Sequence, residues 1–121
     1  MTSSHLSPIT THVLDTALGN PAEGVPVTLE KLQSRDVESK WSKLAIGVTN
    51  VDGRVAELLP KGSLTAGIYR MTFDTAAYFR SLDSTGFYPQ VQVEFEVTDL
   101  SLHYHVPLLL SPYGYSTYRG S

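Results

Sequence analysis

Two segments of this chain alternate so strictly between apolar and polar residues that only strands suit them. In Val91-Gln-Val-Glu-Phe-Glu-Val97, the residues Val91, Val93, Phe95 and Val97 alternate with Gln92, Glu94 and Glu96. In Val25–Leu32, Val25, Val27 and Leu29 alternate with Pro26, Thr28 and Glu30. Successive side chains of a strand point to opposite faces, so each segment has one apolar and one wet face and belongs half-buried in an antiparallel sheet. Further strands are predicted at Ile9–Asp15, Trp41–Thr49, Gly67–Phe73, His103–Leu110 and Tyr113–Tyr118, with a short one at Arg54–Ala56. Turn signals at Gly19-Asn-Pro21, Asn50-Val-Asp-Gly53, Lys61-Gly62 and Ser111-Pro112 separate them, the spacing of a β-sandwich. One stretch breaks the pattern. Asp74-Thr-Ala-Ala-Tyr-Phe-Arg-Ser-Leu82 joins a capping residue to good helix formers, which predicts a single short helix between two strands.

A chain of 121 residues suits one two-layer domain. The domain is expected to span residues 7–121, after a flexible N-terminal segment at 1–6. The net charge is only −3 and the nine Lys and Arg are scattered, so the chain carries no footprint for a phosphate backbone and nucleic acid is excluded as a partner. Without cysteine there is no disulfide, thiol nucleophile or thiolate metal site. The opening Met1–Val13 lacks the basic and apolar segments of a secretory signal, and no stretch approaches the roughly 18 apolar residues of a membrane span. A cytoplasmic protein with no membrane partner is the expectation.

The densest reactive group is His103-Tyr104-His105. Residues two apart on a strand project from one face, and imidazole moves protons in either direction near neutrality. Two readings stand beside the catalytic one: a pair of surface histidines, or an open zinc site completed by His12. No acidic residue on the same segment is placed to orient a ligating imidazole. His12 shares a strand face with Thr10 and Leu14, a position equally suited to a half-buried structural histidine. Arg54 follows an Asp-Gly turn, where a solvated arginine is the ordinary case. The tail, Ser111 to Ser121, carries three tyrosines and ends beside Arg119, which predicts docking against a sheet or a second subunit. Ser116, Ser121, Asp15 and Asp99 offer no distinguishable Ser-His-Asp triad.

The run His103-Tyr-His-Val-Pro-Leu-Leu-Leu-Ser-Pro-Tyr-Gly-Tyr-Ser-Thr-Tyr-Arg-Gly-Ser121 closely resembles the C-terminal signature of the transthyretin-related 5-hydroxyisourate hydrolases. Ser7–Asp15, Thr49–Arg54, Ala66–Arg70 and Gly86–Pro89 agree with that family in the same order, covering the chain from Ser7 onward. The resemblance implies an all-β, transthyretin-like (prealbumin) sandwich of two four-stranded sheets with one short helix. It further implies a homotetramer built as a dimer of dimers, with sites in the channel between dimers. The implied activity is the metal-free, cofactor-free hydrolysis of 5-hydroxyisourate to 2-oxo-4-hydroxy-4-carboxy-5-ureidoimidazoline in urate breakdown. The implied catalytic residues are His12, Arg54, His105 and Ser121, with Tyr118, Arg119, Gly120 and Ser116 toward the substrate. In transthyretin, the hormone carrier of the same fold, Lys, Glu and Thr align with His12, Arg54 and His105; a carrier without turnover is the alternative. Strand parity then puts His103, His105, Pro107 and Leu109 toward the channel and Tyr104, Val106, Leu108 and Leu110 toward the core.

Overall fold

The computed structural model describes residues 7–34, 36 and 38–121, so the expected flexible segment 1–6 lies outside the described residues. Eight strands and one helix follow in order: β1 (Ile9–Asp15), β2 (Asn20–Pro21), β3 (Pro26–Ser34), β4 (Lys40–Val48), β5 (Gly67–Phe73), α1 (Thr75–Ser81), β6 (Val91–Val97), β7 (Tyr104–Ser111) and β8 (Gly114–Thr117). They form two four-stranded sheets, ordered β2-β1-β7-β8 and β4-β3-β5-β6. The sandwich, the helix and seven of the strands are those the alternation predicts, with ends moved by a few residues.

The eighth strand is a correction. Arg54–Ala56 forms no strand but only an isolated antiparallel bridge between His12 and Arg54, while Asn20–Pro21, read from sequence as a turn, pairs with Leu14 and Asp15 as β2. The physical reason lies in the backbone partners. Val13 N–H bonds the Gly53 carbonyl at 2.8 Å, while the Arg54 carbonyl and amide are taken by Asn50 of its own turn, so the bridge does not extend into a ladder.

The second sheet is antiparallel throughout, but the first has a parallel centre in which β1 runs beside β7 from Ile9↔Tyr104 to Asp15↔Leu110. Inward residues of both sheets make the core: Ile9, Val13, Leu108 and Leu110 meet Val27, Leu29, Met71 and Phe73, all at most 1% exposed. Each such side chain contributes about 1.5–3 kcal/mol by leaving water.

The helix closes one end of this core. Asp74 caps it by accepting from Ala77 N–H at 3.0 Å, and its first turns bury Tyr78 and Phe79. Tyr78 donates its hydroxyl to Asp15 Oδ2 at 2.6 Å, while Asp15 Oδ1 accepts from the Ala17 and Leu18 amides. Asp15 is 3% exposed, so this carboxylate depends on those donors in place of water. Burial first, and the Asp15 carboxylate second, push the Tyr78 phenol well above its ordinary pKa. Tyr78→Phe should therefore cost about 1–3 kcal/mol, because it strands a buried carboxylate oxygen. An unchanged urea midpoint would show that water takes the place of the hydroxyl.

Candidate active site

The parallel register sets Thr10 opposite His105 and His12 opposite Pro107. On β1, Ile9, Thr11, Val13 and Asp15 are buried between the sheets, which turns Thr10, His12 and Leu14 to the outer face. On β7, Tyr104, Val106, Leu108 and Leu110 are buried and His105 and Leu109 face outward, the parity expected from sequence. Pro107 is buried despite its outward parity, because the chain terminus crosses over it: a side chain added at Gly120 would come within 3.3 Å of Pro107 Cγ.

Arg54 reaches this face through a tight turn. Asn50 Oδ1 accepts from the Asp52 and Arg54 amides at 2.9 and 3.1 Å, and Gly53 N–H returns to the Asn50 carbonyl at 2.8 Å. Gly53 has φ +77°, and any side chain there would strike the Val13 carbonyl and come within 3.3 Å of His12 Cδ2. Glycine is needed twice over, for the left-handed turn and for the close approach that delivers Arg54 beside His12.

The terminus is docked, as its composition predicts. Gly120 N–H bonds the His105 carbonyl at 2.9 Å, and a side chain at Gly120 would collide with the His105 ring. Thr117 Oγ1 bonds the Pro107 carbonyl at 2.7 Å, and the Arg119 guanidinium lies over the Tyr104 ring at 4.7 Å. Arg119 lines a second cavity of about 250 Å³ between β6 and the tail, which His105 and Tyr118 also border, and its stacking on Tyr104 anchors the tail.

The larger space is an open cavity of about 540 Å³ walled by Arg54, His103 and His105 and bordered by Tyr118, Gly120 and Ser121. His12 does not itself line it but joins it through its bridge to Arg54. Ser116 sits at the Leu109 register, roughly 13 Å along the sheet from His105 at 3.3 Å per residue. Sequence reasoning missed Thr10, whose Oγ1 lies 2.8 Å from His105 Nδ1 and 3.0 Å from His103 Nε2. The only signal for it was its shared strand face with His12.

Both central histidines are held toward the neutral form. Burial and then the Arg54 charge lower the pKa of His12, opposed by a hydrogen bond to the Asp52 carbonyl and by the Asp52 charge. Burial, then Arg54, His103 and His12, lower that of His105, opposed by a hydrogen bond to the Thr10 carbonyl. The result is a neutral imidazole beside a permanent cation, a pairing that can take a proton from water while an oxygen-rich group is held. Among the described residues, no three His, Asp or Glu side chains are grouped to hold a metal ion.

The sequence profile of the HIUase/transthyretin family matches residues 9–120. The 5-hydroxyisourate hydrolase of Mus musculus is 45% identical over 115 residues, covering 95% of this chain and 96% of that protein. Among solved structures, Klebsiella pneumoniae 5-hydroxyisourate hydrolase superposes with a TM-score of 0.75 at 41% identity, covering 93% of this chain and 98% of that one. Sea bream transthyretin in complex with thyroxine superposes with a TM-score of 0.85 at 33% identity, covering 93% and 94%. (S)-allantoin synthase superposes with a TM-score of 0.83 at 37% identity, covering 100% of this chain and 46% of that one, so backbone shape does not separate these relatives and the side chains of the site are left to discriminate.

The electrostatic assignment is testable by NMR titration of the ring protons. His12 and His105 should both titrate below their ordinary value of 6.5, and Arg54→Gln should raise both midpoints. Midpoints at or above 6.5 in the unaltered chain, or no response to the substitution, would contradict it.

Proposed function

The chain belongs to the HIUase/transthyretin family, and on that premise we propose that it hydrolyses 5-hydroxyisourate, opening the ring in urate breakdown. The observation that carries this reading is the meeting of Arg54 and His105 on one cavity wall, under a docked Gly120 and beside Ser121. His105 is the general base: its ring borders the cavity, and burial with Arg54 keeps it neutral. It takes a proton from water, the resulting hydroxide adds to the amide carbonyl, the C–N bond breaks, and the leaving nitrogen takes the proton back. Arg54 holds the carbonyl oxygens and stabilises the charge that develops on them, for which its planar fork of donors suits an oxygen-rich ring. His12, bridged to Arg54 through the backbone, positions Arg54 at the cavity wall. Tyr118, Gly120 and Ser121 close the pocket.

The reaction needs no metal. Two of the nitrogens a zinc site would use, His103 Nε2 and His105 Nδ1, are already engaged with Thr10. The assembly is a homotetramer, a dimer of dimers with the cavity facing a second dimer. The exposed cluster of Phe87, Tyr88 and Tyr115 beside the edge strand β8 supports subunit contact there. The backbone fit to sea bream transthyretin in complex with thyroxine is the ground for one second reading, a carrier that binds without turnover.

One assay separates the readings: loss of absorbance of freshly generated 5-hydroxyisourate. The intact chain should turn over with and without chelator, and His105→Ala should lose about 10²- to 10⁴-fold. Binding without turnover would select the carrier. Chelator-sensitive turnover restored by zinc would select a metal hydrolase. Because the base is active when neutral, and its pKa is depressed, kcat/KM should fall on the acid side with a half-point below 6.5. A chain ending at Thr117 keeps all eight strands and should fold, yet lose most activity; full turnover by it would remove the tail from the site.

A further inference from the structure

His105 offers two nitrogens, and only one of them can be the base. Its Nδ1 lies 2.8 Å from Thr10 Oγ1, and the same oxygen lies 3.0 Å from His103 Nε2. The two rings are nearly parallel, at 20° with centroids 6.3 Å apart, so one hydroxyl bridges both. A hydroxyl has one proton to donate, so it cannot donate to both histidines at once. His105 is half-buried and His103 is exposed. The exposed ring can adopt either tautomer, because water completes whichever nitrogen faces it, whereas the half-buried ring has to match its protein partners. The Thr10 backbone also favours the protonated His105 ring, the sense expected of an accepting carbonyl nearby.

We propose that Thr10 is a positioning residue that sets the tautomer of His105. Its oxygen accepts the Nδ1 proton, which leaves Nε2 bare as the base, and its own proton goes to His103 Nε2. His103 is the outer end of this chain, and its task is to turn the hydroxyl so that a lone pair faces His105. The parallel register makes the arrangement possible, since Thr10 lies directly opposite His105 while His103 and His105 share a strand face. The catalytic consequence rests on the hydrolase reading above; the tautomer itself does not.

The test pairs a spectroscopic readout with kinetics. In the intact chain at pH 7.5, 15N chemical shifts should show His105 protonated at Nδ1 and bare at Nε2. Thr10→Val, which keeps shape and removes the hydroxyl, should mix the two tautomers and lower kcat about tenfold or more with little change in KM. Thr10→Ser should restore both the spectrum and the rate, which a merely space-filling threonine would not require. His103→Leu, at an exposed position, should give a smaller loss in the same direction. A His105 protonated at Nε2 in the intact chain would overturn the proposal. So would a Thr10→Val protein with unaltered shifts and rate, or a loss that Ser fails to restore. An Nδ1-protonated His105 that Thr10→Val mixes, in a chain that does not turn over 5-hydroxyisourate, would uphold the tautomer assignment and count against the hydrolase reading.

Discussion

The structure hangs on the parallel ladder between β1 and β7, which joins the start of the domain to a segment about 95 residues further on. Bringing such distant segments together costs chain entropy before any contact repays it. The repayment comes from the buried sides of both strands, where Val13, Leu108 and Leu110 enter the core and Thr11 Oγ1 bonds the Val106 carbonyl at 2.6 Å. The outer sides of the same two strands are thereby left aligned and rigid. Thr10, His12 and His105 occupy that surface, so the precision of the site is inherited from the packing beneath it.

Two segments without regular structure complete the site from either side, and each does so at a glycine. Gly53 lets the 50–53 turn lie against Val13 and His12, and Gly120 lets the terminus lie against the His105 ring. Backbone therefore occupies space that a side chain would otherwise fill. This closeness contributes to the electrostatics, because it shields both imidazoles from water and places the Arg54 charge beside them. Burial and a fixed cation act in the same direction, and both favour the neutral ring.

Much of the fold was legible in the residues because alternation is a local signal. Val91–Val97 and the segment from Val25 declared strands without reference to the rest of the chain, and Asp74 marked the helix start through its own side chain. Where legibility failed, the deciding partner was remote. Asn20–Pro21 is a strand only because Leu14 and Asp15 lie beside it, and Arg54–Ala56 is none because the Arg54 backbone is bonded to Asn50 within its own turn and only bridges to His12. Arg119 has the same character: its place over Tyr104 depends on how the tail crosses β7.

By itself, the amino-acid sequence determined the sandwich, the outward parity of His105 and, through the resemblance of its final residues, a short roster of site positions. It determined these because periodicity and side-chain chemistry are properties of neighbours along the chain. Only the tertiary structure decided which of those residues meet. The register of one parallel pair set Thr10 between two histidines, the antiparallel pairing of β7 with β8 left Ser116 far along the sheet, and the path of the tail across β7 laid Arg119 over Tyr104. A register is a relation between segments distant in sequence, fixed by the core both segments bury, and neither segment carries it alone.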